Sequence, residues 1–225
     1  MRRIISYAIV LITIPYILNQ VRKPSRWTGR LFTWLMNLSH SGLTDWGLEH
    51  VAIEKNFKIL DVGCGGGRTI QKLAALAPEG KVYGVDYANG SVAASRAKNA
   101  QLIEAGRVEI QQASVSHLPF PDGMFDLVTA VETQYYWPNL LGDMQEIRRV
   151  LAPGGTLLVI VESYRNGKYE AIQRPVMKFL KSTNLSIDEQ RELFVNAGYE
   201  DVQVSEHRGK GWLCATGNKQ GAGRR

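Results

Sequence analysis

The stretch ILDVGCGGGRT, residues 59–69, runs from an apolar segment directly into a loop with glycine at four of five positions. The segment FKILDV at 57–62 is continuously apolar apart from its ends, which is typical of a strand buried on both faces of a parallel sheet. Glycine permits positive φ and lets a ligand lie against the main chain. The stretch therefore predicts a strand, a ligand-contacting loop and a helix, although glycines also serve tight strand–helix packing without any ligand.

Strand and helix patterns alternate along most of the remaining chain. Helices are predicted at 69–77, 91–105, 142–151 and 186–199, the last with Ser186 as N-cap, Glu189 at the capping-box position and Gly198 as C-cap. Strands are predicted at 57–62, 81–86, 107–113, 124–131, 156–162, 201–207 and 212–218. This alternation predicts an α/β fold with helices on both faces of a mostly parallel sheet, in which ligands bind at the carboxyl ends of the strands.

The composition disfavours metal and disulfide chemistry. The chain has two cysteines, Cys64 and Cys214, which are far apart and lack metal-ligand spacing, and its four histidines form no H-x-x-x-H pair. We therefore predict no metal site and no disulfide framework, and a cytoplasmic, reducing compartment.

The net charge of +6 is concentrated at the two ends of the chain. Residues 1–30 hold six basic and no acidic residues, whereas residues 31–205 hold sixteen basic and twenty acidic residues, a net of −4. A mildly acidic central region does not provide the basic surface that binds a nucleic acid backbone. The charge pattern therefore disfavours nucleic acid as a partner.

The N-terminal run from residue 4 to residue 18 is apolar over 15 residues, with basic residues on both sides. A membrane span needs about 20 such residues. Three interpretations stay open: a helix packed on the domain or on a second copy of the chain, as in a homodimer; a peripheral membrane contact through residues 1–26; and a true span.

Asp86, at the end of the second predicted strand, narrows the identity of the ligand. A carboxylate there suits a ribose with two free hydroxyls, which both NAD and other adenosine cofactors carry. The G-x-G-x-x-G spacing of dinucleotide loops fits Gly63 and Gly65, but its third position falls on Arg68. Asp61, at the end of the first strand, needs partners if buried, and these could be loop amides or the amino group of an amino-acid-like cofactor.

Four segments, in order, resemble the class I S-adenosylmethionine-dependent methyltransferases, in particular the methyltransferase-11 or ubiquinone/menaquinone-methylase group that acts on small molecules. They are ILDVGCGGG at 59–67, VYGVD at 82–86, LPFPDGMFDLV at 118–128 and RVLAPGGTLLV at 149–159. The resemblance implies a Rossmann-like seven-stranded sheet of order 3-2-1-4-5-7-6 with strand 7 antiparallel. It also implies a methyltransferase domain at 56–217 with a cap insertion at 163–185, a hydrophobic segment and helical lid at 1–55, and a flexible tail at 218–225.

The resemblance implies S-adenosylmethionine as cofactor, with the glycine loop around its methionine part, Asp86 at its ribose and Tyr87 near its adenine. Where relatives often carry an acid that contacts the adenine, this chain has Ala113 and Ser114. The implied cofactor-binding residues are Asp61, Gly63, Cys64, Gly65, Gly67, Asp86, Tyr87, Ala113, Ser114 and Val131.

Methyl transfer from a sulfonium needs alignment more than metals or covalent intermediates, which agrees with the composition. The segment QYYW at 134–137 follows the fourth strand, and aromatic faces favour cationic sulfur, although these rings could simply pack under a lid. We predict substrate contacts from Tyr136, Trp137 and Tyr164. Candidates for a base that deprotonates the acceptor are Glu132, Tyr135 and His40; thiolates and amines would need none.

The sequence thus predicts transfer of a methyl group to a small acceptor, for which the N-terminal apolar run suggests a lipophilic character. The D/N-P-P-Y/F stretch of enzymes that methylate amino groups of nucleic acid bases is replaced here by Val131 and the residues after it. Two alternatives stay open: a cofactor-binding protein without turnover, and a nicotinamide-dependent oxidoreductase. The acceptor atom, whether oxygen, nitrogen, sulfur or carbon, stays undetermined.

Overall fold

The structure, a computed structural model, describes residues 41–179 and 182–221. The apolar run at 4–18, the predicted membrane contact through residues 1–26 and the candidate base His40 lie outside these residues. Among the helices of the described part, none combines the length and apolar character that crossing a membrane requires.

Seven strands form one sheet in the spatial order 3-2-1-4-5-7-6, with the seventh antiparallel to its neighbours. This confirms the predicted fold class. The strand order reverses between the first strand and its two neighbours, the second and fourth, which is where such sheets bind ligands. The strands are β1 (Lys58–Val62), β2 (Lys81–Asp86), β3 (Val108–Gln112), β4 (Phe125–Val131), β5 (Leu151–Val161), β6 (Glu200–His207) and β7 (Trp212–Asn218).

Helices cover both faces of the sheet, and each face has its own buried apolar cluster. One cluster joins Ile70 and Leu73 to Ile59 of β1, and the other joins Ile147 to Leu60 and the ring of Phe194. The helices are α1 (Ser41–Leu48), α2 (Arg68–Leu76), α3 (Asn89–Lys98), α4 (Ala100–Glu104), α5 (Leu140–Val150), α6 (Glu170–Phe179) and α7 (Ile187–Asn196), with a 3₁₀ turn at Gln134–Tyr136.

The predicted capping box at the start of α7 is confirmed. The Ser186 hydroxyl accepts a hydrogen bond from the Glu189 amide, and the Glu189 carboxylate accepts one from the Ser186 amide. These two bonds satisfy donors that have no partner within the helix, and they fix the point where α7 begins.

The prediction of one helix over 91–105 was wrong. The chain forms α3 and α4 with Asn99 between them, and the Asn99 side-chain amide donates to the carbonyls of Gly67, at 3.0 Å, and Ser95, at 2.9 Å. The fifth strand also begins at Leu151 rather than at 156, because the APGG segment stays paired through a register shift beside Phe125.

Candidate functional site

The loop after β1 is fixed from two sides. The amides of Gly63 and Cys64 donate to the Val85 carbonyl of β2, at 2.8 and 3.0 Å, and the Gly67 carbonyl accepts from Asn99. Three of its glycines, at 63, 65 and 67, have positive φ of 75°, 48° and 77°. The sequence therefore specifies a bent main chain that β2 and the junction of α3 and α4 hold in one shape.

The three glycines are required for different reasons. A Cβ on Gly63 would lie 2.2 Å from the Thr133 hydroxyl oxygen, and one on Gly67 would lie 2.5 Å from the Ser95 hydroxyl oxygen. Among the described residues, a Cβ on Gly65 would meet no atom closer than 3.9 Å. Packing within the protein thus explains Gly63 and Gly67, whereas Gly65 borders open space in which a ligand could approach the main chain.

Asp86 lies directly beside this open position. Its carboxylate is 7% exposed and accepts from the amides of Gly65, at 3.0 Å, and Ala88, at 2.9 Å. Burial raises the pKa of Asp86, and the two amide bonds, together with a hydrogen bond from the Ser91 side chain, oppose that rise. The structure thus brings Gly65 and Asp86 together, as the cofactor prediction requires. It also shows that Asp86 helps to shape the glycine loop, which the sequence did not reveal.

Asp61 is buried near the end of β1, where the Thr129 hydroxyl of β4 donates to its carboxylate at 2.8 Å. Burial raises the pKa of Asp61 to about 7; the Thr129 bond opposes this shift and the charge of Asp86 adds to it. A cationic group beside Asp61 would favour its ionised form. This arrangement suits the ammonium group of an amino-acid-like cofactor.

The residues predicted near an adenine lie at the ends of β2 and β3. Tyr87 is 44% exposed, and its carbonyl accepts from the Gln112 side chain at 2.8 Å. The Ala113 amide donates to the Asp86 carbonyl, and the Ser114 hydroxyl accepts from the Ser116 amide at 3.2 Å. The contacts of Gln112 with Tyr87 and of Ala113 with Asp86 hold the ends of the two strands together beside the glycine loop.

Cys64 and Val131 contribute in different ways. The Cys64 side chain is buried against Gly84, and burial raises the pKa of its thiol, so only its main chain belongs to the loop. Val131 is half-buried at the end of β4, where it pairs with Ile160 of β5.

The end of β4 is strained and tightly bonded. Glu132 has φ of 56°, which is costly for a residue with a side chain, and its Oε1 accepts from the Tyr135 hydroxyl at 2.8 Å and from the Glu162 amide at 2.6 Å. The Tyr135 hydroxyl oxygen also accepts from the amides of Glu162, at 3.0 Å, and Ser163, at 2.9 Å. This network joins the ends of β4 and β5.

Within this network Tyr135 is a proton donor. Burial raises its pKa well above the usual value, and the charge of Glu132 raises it further. These contacts give Tyr135 a supporting role beside Glu132. That Tyr135 or Glu132 takes a proton from an acceptor stays a prediction.

The aromatic residues predicted to contact a substrate occupy distinct environments. Trp137 is buried in the apolar core, and Tyr136 is half-buried with its ring edge-on to Tyr135 at 5.9 Å. Tyr164 is buried, and its hydroxyl donates to Glu206 at 2.7 Å. Tyr135 and Tyr164 line a common cavity at the end of β5, the β5 cavity.

Sequence reasoning missed the residues that hold the site in place, namely Thr129, Thr133 and Asn99. Thr129 could have been found only from the register of the sheet, because it lies opposite Asp61 on the neighbouring strand. For metal binding, residues 41–179 and 182–221 contain no group of three or more His, Cys, Asp or Glu side chains that could hold an ion.

Residues 60–159 match a family model described as a methyltransferase domain. A demethylmenaquinone methyltransferase of Symbiobacterium thermophilum is 36% identical over 123 residues, which are 52% of this chain and 49% of that protein. A sterol 4-C-methyltransferase of Caenorhabditis elegans is 34% identical over 111 residues, 49% of this chain and 33% of that protein. The chain therefore spans about half or less of these curated relatives.

The fold also matches solved structures. A chain of the complex between the Haloferax volcanii Trm112 methyltransferase activator and a methyltransferase superposes with a TM-score of 0.73 at 22% identity, covering 84% of this chain and 93% of that one. At this identity the match shows the fold alone, and it agrees with the strand order described above.

Proposed function

We propose that this chain, which carries a class I S-adenosylmethionine-dependent methyltransferase domain, transfers a methyl group from that cofactor to a small, lipophilic acceptor. One observation carries the proposal most directly. The Gly65 amide bonds to the Asp86 carboxylate at the carboxyl ends of adjacent parallel strands, inside the segment that matches the methyltransferase model.

The residues present fit the cofactor. The open space at Gly65 would admit a ligand against the main chain, and the Asp86 carboxylate, which also accepts from the Ser91 side chain, retains a lone pair with which to accept from a ribose hydroxyl. Asp61 would offset the positive charge of the methionine part. S-adenosylmethionine, when bound there, would supply an activated methyl group to an electron pair of the acceptor, with the thioether as leaving group.

An acceptor hydroxyl would also have to lose a proton. We infer that Glu132 is positioned to accept it, because the bonds from Tyr135 and the Glu162 amide hold its carboxylate at the end of β4. Tyr135 then acts as a positioning residue. His40 and Tyr135 remain the other candidates for the base.

The lipophilic character of the acceptor has two supports. The relatives reported above are named for demethylmenaquinone and for a sterol, both of which are largely apolar compounds. The apolar run at 4–18 would bring the domain to a membrane surface, where such compounds dissolve. Deleting residues 1–20 should then shift the protein from the membrane fraction to the cytoplasmic fraction of lysed cells.

Isothermal titration with S-adenosylhomocysteine, followed by transfer of labelled methyl from S-adenosylmethionine into a lipid extract, tests the proposed function. We expect one molecule bound per chain, no binding of NADH, and label in the lipid fraction. Absence of binding to the folded protein would contradict the proposal. Binding without transfer to any acceptor would favour the cofactor-binding protein without turnover, and binding of NADH would favour the oxidoreductase.

A further inference from the structure

The segments that follow β5 and β6 carry a local excess of positive charge. Residues 163–179 and 207–212 together hold six basic residues and one acidic residue. By contrast, residues 31–162 and 180–205 hold twelve basic and nineteen acidic residues. The two segments are therefore basic regions of a domain that is otherwise acidic.

Helix α6, within the first of these segments, turns two of its cations outward. Arg174 and Lys178, one helical turn apart, are exposed, whereas Met177 is buried in the apolar core. The exposed Ala171 and Pro175 complete the same face of the helix. The outer face of α6 is therefore basic, and its inner face packs on the domain.

Contacts at both ends place α6 across the carboxyl edge of the sheet. Before the helix, the Lys168 ammonium donates at 2.6 Å to the carbonyl of Gly209, which lies in the turn between β6 and β7 at residues 208–211. After the helix, the Thr183 amide donates to the Tyr135 carbonyl at 3.0 Å. Helix α6 therefore runs from the β6–β7 turn towards the turn that follows β4.

Aromatic rings lie beneath two of the cations. The Lys210 ammonium is 5.7 Å from the centre of the Trp212 ring, and the Lys168 ammonium is 5.1 Å from the centre of the Tyr169 ring. Tyr169 is 38% exposed, and a Cβ on Gly211 would lie 2.9 Å from its ring. Such pairs suit a membrane–water interface, where the ring enters the headgroup layer and the cation meets lipid phosphate.

Five exposed cations define this surface, which we call the basic rim: Lys168, Arg174, Lys178, Arg208 and Lys210. Within the described part of the chain, Arg208 alone of the five pairs with a carboxylate, that of Glu206 at 2.9 Å. Like charges that are held close together repel one another, and an anionic surface would relieve this repulsion. The basic rim thus has the charge that an anionic partner requires.

We propose that the basic rim binds the surface of an anionic phospholipid bilayer, with its cations against the lipid phosphates and Tyr169 among the headgroups. The proposal rests on the proposed function, because the rim lies at the same edge of the sheet as the glycine loop. Binding in this orientation turns the site towards the layer in which a lipophilic acceptor dissolves. The rim adds to the apolar run at 4–18 a contact made by the folded domain itself, and a basic patch strengthens a weak apolar anchor.

Two observations favour a bilayer over a nucleic acid. The acidic remainder of the domain would repel a phosphate backbone that extends beyond the rim. The rim also adjoins α1, where the Trp46 ring packs against the Trp212 ring at 6.0 Å, and the apolar run at 4–18 precedes α1 in the chain. The rim and the apolar run can therefore contact the same surface.

The test measures binding of the full chain to vesicles by co-sedimentation. One set of vesicles is phosphatidylcholine, and the other is equal parts of phosphatidylcholine and phosphatidylglycerol. We expect the natural protein to bind the anionic vesicles at least about tenfold more tightly than the neutral ones. The triple variant Arg174→Gln, Lys178→Gln, Lys210→Gln should bind the anionic vesicles about 100-fold more weakly, since each cation near such a surface contributes about a factor of five.

A matched control removes the same charge elsewhere. Lys55 and Lys58 lie at the amino end of β1 and Lys98 ends α3, and all three are exposed. Their triple replacement by Gln should leave the affinity for anionic vesicles within about twofold of the natural value, because charges further from the bilayer than the Debye length are screened.

Two further measurements separate this proposal from the proposed function. The rim variant should melt at the temperature of the natural protein and bind S-adenosylhomocysteine equally well, because the replaced side chains are exposed. Failure of the natural protein to bind S-adenosylhomocysteine would remove the proposed function, whereas the preference for anionic vesicles tests the rim alone.

Three results would overturn the proposal. In the first, the natural protein binds neither kind of vesicle or binds both equally. In the second, the rim variant and the control variant lose the same affinity, so that net charge alone matters. In the third, the rim variant binds anionic vesicles as the natural protein does but binds a DNA duplex more weakly, which would make the rim a nucleic acid surface.

Discussion

At the carboxyl edge of the sheet, the glycine loop after β1 and the β5 cavity are joined by the turn at residues 132–135. In the glycine loop the buried carboxylates are bonded: Asp86 accepts from two main-chain amides and Asp61 from the Thr129 hydroxyl. In the β5 cavity, Gln134 and Gln190 are as deeply buried, but their side-chain nitrogens lack partners among the described residues.

This difference separates a preformed loop from an incompletely bonded gap in the packing. The glycine loop has a shape that the protein's own hydrogen bonds determine, so it can be preorganised for one invariant ligand. At the β5 cavity the donors have no partner among the described residues, and the interior has room for about one water molecule.

Of the substitutions that test the glycine loop and its hydrogen bonds, Asp86→Asn should have the largest effect. The substitution replaces one carboxylate oxygen by a donor that faces the amide of Gly65 or Ala88. Because hydrogen bonds to a charged group contribute about 1.5–3 kcal/mol, we expect S-adenosylhomocysteine to bind about 10- to 100-fold more weakly by isothermal titration. Asp126→Asn is the matched control, because that carboxylate accepts from the Lys58 amide at the opposite end of β1. Equal losses in the two variants would show that Asp86 has no special role.

Tyr135→Phe tests the turn that joins the two regions. The hydroxyl bonds to Glu132 and to two amides, so its loss should lower the free energy of unfolding by about 2–3 kcal/mol in urea. Tyr199→Phe removes a buried hydroxyl that, within the described part of the chain, bonds to the Met144 carbonyl alone, and it should cost about 1 kcal/mol. Cofactor affinity should persist in Tyr135→Phe while kcat falls. A pH–rate profile that loses its rising, low-pH limb in this variant would instead make Tyr135 the base, because a base must be deprotonated to act.

Thr129→Val should have the smallest effect, and the effect depends on pH. The pKa of Asp61 is 3.8 in the unfolded chain and about 7 in the folded protein. Between these pH values the folded state therefore retains a proton that the unfolded state releases. The free energy of unfolding should therefore fall as pH rises from about 4 to 7, by at most about 1.4 kcal/mol per pH unit.

Thr129→Val removes a bond that lowers the pKa of Asp61, so the fall in stability should continue above pH 7. Thr129→Ser keeps the hydroxyl and should follow the natural protein. Urea unfolding at pH 5, 6, 7 and 8 measures the difference, and identical profiles for the two variants would contradict the role of this bond.

The glycine loop and its contact with Asp86 were largely predictable from the sequence. Strand β1 reads as a continuous apolar run, the glycines follow it directly, and Asp86 ends the next strand, so the parallel arrangement alone brings Gly65 and Asp86 together. The capping box at Ser186 was equally local. Each of these features lies within one element or between two consecutive strands.

The polar side chains around the β5 cavity were not predictable, because they come from separate elements. Gln134 follows β4, Ser163 follows β5 and Gln190 lies on α7. Nothing in the local sequence distinguishes a buried glutamine from an exposed one. Asn99 was missed for a related reason: its side chain competes with helix hydrogen bonds and serves the glycine loop 32 residues away. Such contacts require the register and packing of the folded chain.

The most direct test of the central claim, that the open space at Gly65 receives the cofactor, compares Gly65→Ala with Gly106→Ala. Both glycines have positive φ, 48° and 72°, and a methyl group on either meets no atom of the described part of the chain closer than 3.9 Å. Both variants should therefore lose about 1–2 kcal/mol of stability. We predict that Gly65→Ala weakens binding of S-adenosylhomocysteine by about tenfold or more, while Gly106→Ala binds as the natural protein does. Equal affinity of the two variants for S-adenosylhomocysteine would contradict the account.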